Sequence, residues 1–215
     1  MRRYLVFLLG LVALSLGISL TAVAALGTSP ISSPAYVVSE GMKHVSFGTT
    51  TFIWNAAMVL FQLPFLKKKG DWLILLVQIP VALLLGVFVD GFAFVAAPLR
   101  SDFYIAKLGV LLLGCMVSGA GVALMILSER VLSGAERLTA LLAEKYHKKF
   151  GTVKVLFDAA NVLLAVILCL FFFHDISRVR EGTLINALVT GTIAQFFLGV
   201  FRPLTDRFLQ KPGVR

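Results

Sequence analysis

Long uncharged runs dominate this sequence: Tyr4 to Leu26, Gly48 to Leu66, Trp72 to Val89 with a continuation past Asp90 to Leu99, Leu108 to Ser128, and Gly182 to Phe201. A further run, Gly151 to Phe173, is interrupted only by Lys154 and Asp158. About 20 apolar residues wound as a helix cross the roughly 30 Å of hydrocarbon in a bilayer. Runs of this length predict six transmembrane helices. Composition agrees, since 59% of the 215 residues are hydrophobic and 14% charged, against roughly half and a quarter in an average soluble domain. Arg2 and Arg3 precede an apolar stretch ending in Ala22-Val23-Ala24, as in a secretory signal. The run is nevertheless longer than the 7 to 15 residues of a signal core, and it is read as a retained helix.

Lys and Arg concentrate in cytoplasmic loops of membrane proteins. With the N-terminus inside, 14 of the 20 Lys and Arg fall on the cytoplasmic side, which predicts cytoplasmic N- and C-termini. The net charge of +9 is then mostly topology, with some attraction to anionic headgroups. The basic residues form no stripe interleaved with aromatics, so no nucleic-acid partner is implied. Cys115 and Cys169 both lie in apolar runs, which excludes a disulfide framework and a cysteine metal site.

The two halves of the chain match. Phe47 to Leu60 aligns without gaps to Phe150 to Leu163, with seven of fourteen positions identical. Leu8, Leu9, Gly10, Gly17 and Leu20 meet Leu112, Leu113, Gly114, Gly121 and Leu124. Ala82, Leu83, Gly86, Asp90 and Phe92 meet Ala187, Leu188, Gly191, Gln195 and Phe197. Three spans per copy is an odd number, so the second copy enters the membrane with opposite polarity, as in many secondary transporters. The expected fold is an all-α membrane protein of six spans in two inverted three-helix repeats, residues 1–100 and 101–215.

Each copy has a non-spanning segment after its first helix. Glu129 to Lys149 carries eight charged residues and reads as an amphipathic surface helix over 133–149 that opens with a Ser133…Glu136 capping box. In the first copy, Ser33-Pro34 suits a helix start and Gly41 a stop. Residues 29–45 are too few to cross, so this segment either lies on the surface or dips in as a half-helix. A half-helix N-terminus inside the protein offers backbone N–H groups to an anion.

Leu26-Gly27-Thr28-Ser29-Pro30, then Ser46-Phe47-Gly48-Thr49, then Gly182-Thr183-Leu184 with Gly191, resemble the YczE/YyaS/YitT group of bacterial membrane proteins. In that group a Leu-Gly-x-x-Pro motif follows the first helix and Gly-Thr-Leu opens the last. Pro30 is followed here by Ile31-Ser32, where the group is expected to carry an aromatic and an acid, so a role tied to those residues is not carried over. The resemblance implies a bacterial inner-membrane protein and, by the group's usual assignment, transport.

A charge within a span is costly and marks a functional candidate. Of eleven acidic residues, only Asp158 and Asp90 lie within apolar spans. Asp158 and Asn55 each sit seven residues past a span's start, about 10 Å inside opposite boundaries. Lys154 is one turn from Asp158 and can pair with it. Asn161, Asn186 and Trp54 complete the polar and aromatic set near these positions. Asp90 and Gln195 end matching stripes of small residues, expected to pack at the repeat interface. No zinc, dithiol or phosphate-loop motif occurs, and no nucleophile–base pair is evident, so neither an enzyme nor a cofactor is expected. The sequence thus favours a secondary transporter of a small polar or charged metabolite. The alternatives are a membrane factor that docks a partner protein or a second copy through helix 133–149, and a substrate-capture subunit of an ATP-driven system.

Overall fold

All regular structure among the described residues of the computed structural model, 2–42, 44–66, 69–129 and 133–209, is helical. The helices are α1 (Arg2–Val23), α2 (Ser33–Gly41), α3 (Phe47–Leu60), α4 (Lys69–Ala96), α5 (Tyr104–Ser128), α6 (Gly134–Lys145), α7 (Phe150–Phe173) and α8 (Glu181–Leu209). Five are long and apolar enough to cross a bilayer: α1, α4 with the 3₁₀ turn that follows it, α5, α7 and α8. The chain is a multi-pass integral membrane protein.

The sixth apolar run behaves differently from the other five. Its helix, α3, has 14 residues, about 21 Å at 1.5 Å per residue, and gives way to a 3₁₀ turn over Leu63–Phe65. Pro64 cannot donate a backbone hydrogen bond and favours the break. Gln62, inside this run, is fully buried, and its Nε2 donates to Gln78 Oε1 on α4 (2.8 Å) and to the Gly134 carbonyl (3.0 Å). A hydropathy count sees an apolar run there, whereas the structure uses its polar member to tie three helices.

Helices α1 and α5 form the central pair. A Cβ at Gly10 would stand 2.9 Å from the Gly121 carbonyl oxygen, and one at Gly17 would stand 2.7 Å from that of Gly114. As numbers rise along α1 they fall along α5, so the pair is antiparallel, with backbones brought together by the absence of side chains. Ser19 Oγ on α1 donates to the Val89 carbonyl of α4 (2.8 Å), and Phe7, Leu11, Ile18, Leu85, Val89 and Met125 join α1, α4 and α5 in one apolar cluster. On the other flank, Leu111 and Cys115 of α5 pack with Ile185, Val189 and Ile193 of α8.

The short helices are placed crosswise to chain order. Val37 of α2 packs with Ala165 and Cys169 of α7, whereas Ala135 and Leu138 of α6 pack with Met58 of α3. Each therefore rests on a helix from the other half of the chain.

The α1–α5 seam is testable. Filling a close-packed interior with extra methylenes costs about 1–3 kcal/mol. Gly121→Ile, whose side chain meets the Gly10 carbonyl and the Leu14 backbone, is expected to lower the thermal unfolding midpoint in detergent by several degrees. Gly109→Ile, at a position with nothing within 4 Å, is expected to leave the midpoint unchanged.

Candidate functional site

The starts of α2 and α6 converge inside the bundle. Ser33, Pro34 and Ala35 at the start of α2 are buried, and Ser33 Oγ donates to the Pro30 carbonyl (2.7 Å). At the start of α6, Ser133 Oγ accepts from the Glu136 N–H (3.4 Å), and a Cβ at Gly134 would stand 2.9 Å from the Asn55 carbonyl oxygen. Ile31, just before α2, belongs to the same cluster as Ala135 and Leu138 of α6, Met58 and Trp54 of α3, and Phe157 of α7. The start of α2 is thus packed among other helices of the protein. The amphipathic helix expected over 133–149 forms as α6, and its buried residues Ala135, Leu138, Thr139 and Ala143 give it an apolar face, with Ala135 and Leu138 packed against Met58 of α3 and Phe157 of α7. Gly134 permits the backbone approach. Glu144 and Lys145 at its end are exposed, whereas Glu136 in its first turn reaches the junction.

Polar groups line this junction, and several lack partners. Asn55 Nδ2 donates to the Thr51 carbonyl (2.9 Å) and Asn161 Nδ2 to that of Phe157 (2.8 Å). Asn161 Oδ1, Thr51 Oγ1, Trp54 Nε1 and Glu136 Oε2 are buried with no hydrogen bond. Buried polar groups are nearly always paired, so each unpaired atom calls for an explanation. Lys154 Nζ bonds both carboxylate oxygens of Asp158 at 2.5 Å, and both side chains are largely covered. Burial pushes the Glu136 carboxyl above the usual carboxylate range, opposed by the Lys154 ammonium. Glu136 did not stand out in the sequence, where its place in a capping box accounted for it fully.

Asp158, Lys154, Asn161, Asn55 and Trp54 thus gather about one junction, and the other three candidates lie elsewhere. Asp90 caps the start of α3: Oδ1 accepts from the Gly48 N–H (2.6 Å) and Oδ2 from the Ser46 hydroxyl (2.5 Å). Asn186 is buried on α8, with Oδ1 accepting from Thr190 Oγ1 (3.0 Å) and Nδ2 unpartnered. Gln195 is exposed on α8. The two small-residue stripes were expected to pack alike at a repeat interface, and they do not. Gly86 and Asp90 pack on α3 of the same half and Ala82 is buried, while Ala187, Gly191 and Gln195 are uncovered.

A second junction joins two motifs far apart in the chain. The Gly182 N–H donates to the Leu26 carbonyl (2.8 Å). Gly27 has φ of +104°, and a Cβ there would strike Thr183 Oγ1. Thr183 is fully buried and its hydroxyl unpartnered. It lines a cleft of about 600 Å³ between α7 and α8, walled by Val162, Val179 and Leu184, with Arg180 and Glu181 also on its lining. Tyr36, Glu40, Arg100, Asp102, Lys107 and Arg178 line a separate polar cavity of about 430 Å³. There Arg178 pairs with Glu40 (3.3 Å), and burial holds the Tyr36 phenol up at about 12. The motif pairing was legible only as two separate family-like motifs, because sequence does not say which loops meet.

Residues 1–199 match a family of unknown function, DUF6198, and the chain belongs to that family. It is 25% identical over 211 residues to the uncharacterized protein YyaS of Bacillus subtilis (strain 168), a match covering 97% of each chain. This bears on the YyaS part of the resemblance; the likeness to YczE and YitT rests on the motifs alone. No solved structure matches.

The loop at Gly27 gives a paired prediction. A side chain forced into a sparsely populated backbone region costs about 1–3 kcal/mol, so Gly27→Ala is expected to lower the unfolding midpoint. Thr183→Val, similar in shape and losing no hydrogen bond, is expected to leave it within a degree or two of the parent.

Proposed function

We propose that this DUF6198 member is a secondary transporter of a small polar or charged metabolite in a bacterial cytoplasmic membrane, with both termini cytoplasmic. It works by alternating access between two inverted repeats, residues 1–100 and 101–215, in which α3 and its 3₁₀ turn serve as a short sixth crossing. The antiparallel α1–α5 seam supports this arrangement. Gly10 and Gly17 are matched in sequence by Gly114 and Gly121, so the Gly10–Gly121 and Gly17–Gly114 approaches are equivalents under exchange of the halves. The crosswise seating of α2 on α7 and α6 on α3 has the same exchange symmetry.

The observation that carries the reading is the junction of the α2 and α6 starts, with buried polar atoms left unpartnered. Half-helices ending inside a membrane protein are how many transporters hold substrate near the midplane. The N-terminal dipoles of α2 and α6 favour an anionic substrate group. Asn55 and Asn161 offer amides, Trp54 an indole N–H, and Asp158 a coupling carboxylate whose pair with Lys154 can open when a proton or substrate arrives. The docking alternative is less well supported, because the apolar face of α6 is already covered.

The test uses purified protein in liposomes loaded with a pH-sensitive dye and challenged with a panel of organic acids, amino acids and sugars. Wild type is expected to take up at least one class with accompanying proton movement, and Asp158→Asn to lose that coupling. Indistinguishable behaviour of the two proteins across the panel would remove Asp158 from the mechanism.

A further inference from the structure

The two halves of this molecule share a pattern of residues without sharing a shape. In the first half, α3 and α4 meet backbone to backbone. The Gly86 carbonyl fills the place of a Gly48 Cβ, and the Gly48 carbonyl oxygen stands 2.5 Å from where a Gly86 Cβ would be. Asp90 closes that end through the Gly48 N–H and the Ser46 hydroxyl. The matching positions in the second half are Gly151, Gly191 and Gln195, with Lys149 in the place of Ser46. There a Cβ at Gly151 or Gly191 meets nothing within 4 Å, Gln195 is exposed, and the start of α7 has no side-chain cap. Helices α7 and α8 do not pack along one another, and the cleft holding Thr183 lies between them.

Glycine within a helix costs about 1 kcal/mol relative to alanine. At Gly48 and Gly86 that cost is offset by close packing; at Gly151 and Gly191 nothing in this arrangement offsets it. A sequence whose local choices conflict with one structure is explained when a second structure uses them. The first half shows what that second arrangement is, because it holds the same residues in contact.

We infer that α3–α4 and α7–α8 are two gates that close alternately, and that this structure has the first shut and the second open. In the opposite state α8 seats on α7 through Gly151 and Gly191, and Gln195 takes the position over the start of α7 that Asp90 holds over α3. The α3–α4 seam then parts, releasing the Gly48 N–H and Ser46 from Asp90. This deepens, and rests on, the transporter reading: exchange of conformations between inverted repeats moves access to a central site from one side to the other.

The test uses full-length protein in membranes, with Cys115 and Cys169 replaced by alanine, and a short bis-methanethiosulfonate as cross-linker. One variant carries Ser46→Cys with Asp90→Cys, a second carries Lys149→Cys with Gln195→Cys, and a third carries all four changes. Linked peptides are read by mass spectrometry. Both pairs are expected to link in separate proteins, and linking the first pair in the third variant is expected to lower linkage of the second about tenfold. Asp90→Ala added to the second variant is expected to raise its linkage several-fold, and Asp90→Asn, which keeps an acceptor for the Gly48 N–H, to raise it less. Gly191→Leu is expected to leave the unfolding midpoint unchanged while abolishing that linkage.

Failure of Lys149→Cys and Gln195→Cys to link within one chain in a correctly folded protein, or linkage of both pairs in the same molecule, overturns the inference. Linkage needs no substrate. Alternating linkage without uptake of any metabolite would sink the transporter reading and leave the gates standing, and uptake without alternating linkage would do the reverse.

Discussion

The close approach of α1 and α5 is the constraint on which the rest of the structure depends. In hydrocarbon there is no hydrophobic drive between helices, so association relies on packing at short range. Gly10, Gly17, Gly114 and Gly121 supply it by letting the carbonyl of each helix stand where the other's side chains would be. With this pair fixed, α4 and α8 take opposite flanks, α4 through Leu85 and Val89 and α8 through Ile185, Val189 and Ile193. Only then does the chain beyond α1 have a wall to turn back on. Thr28 reaches Thr21 (3.1 Å), Leu26 accepts from Gly182, and α2 begins inside the bundle.

A polar junction inside such a bundle is expensive to leave unfinished. Each unsatisfied group away from water costs free energy, and Asn161, Thr51, Trp54 and Glu136 each retain one. Gln62, Gln78, Arg178, Thr183 and Asn186 hold others elsewhere, but these first four share one place. All four lie on the helices that meet where α2 and α6 begin, beside a Lys154–Asp158 pair that largely neutralises itself. Some buried polar side chains elsewhere in the same protein are satisfied locally. Ser15 and Ser118, for example, satisfy themselves on carbonyls of their own helices.

The parts of this fold legible in the sequence were those governed by composition along one helix. Uncharged length marked α1, α4, α5, α7 and α8, and the repeated glycines marked the positions of closest approach without saying which helices met. The early end of α3 was hidden because Gln62 and Pro64 are uncharged and pass through a hydropathy window unnoticed. The buried carboxyl of Glu136 was hidden for another reason: its place in a capping box accounts for an acid there without any tertiary contact. Asp90 was correctly marked as an unusual acid, but its work is done at the start of α3, 42 positions earlier, and no local pattern reveals a cap supplied from another helix.

Why the first half is shut and the second open follows from the same two positions. A carboxylate over a helix start makes charge-assisted hydrogen bonds and meets the positive end of the helix dipole. Asp90 has both, and gains a hydroxyl donor in Ser46. Gln195 offers a neutral amide, and Lys149 in the place of Ser46 puts a positive charge beside the same end of the dipole, which opposes closure. Hydrogen bonds with an ionised partner are roughly twice as strong as neutral ones. The tight seam between Gly48 and Gly86 is therefore the more stable of the two. An equilibrium biased in this way moves only when something binds the other state better. An anion that drew Lys149 away from the start of α7 has the sign required.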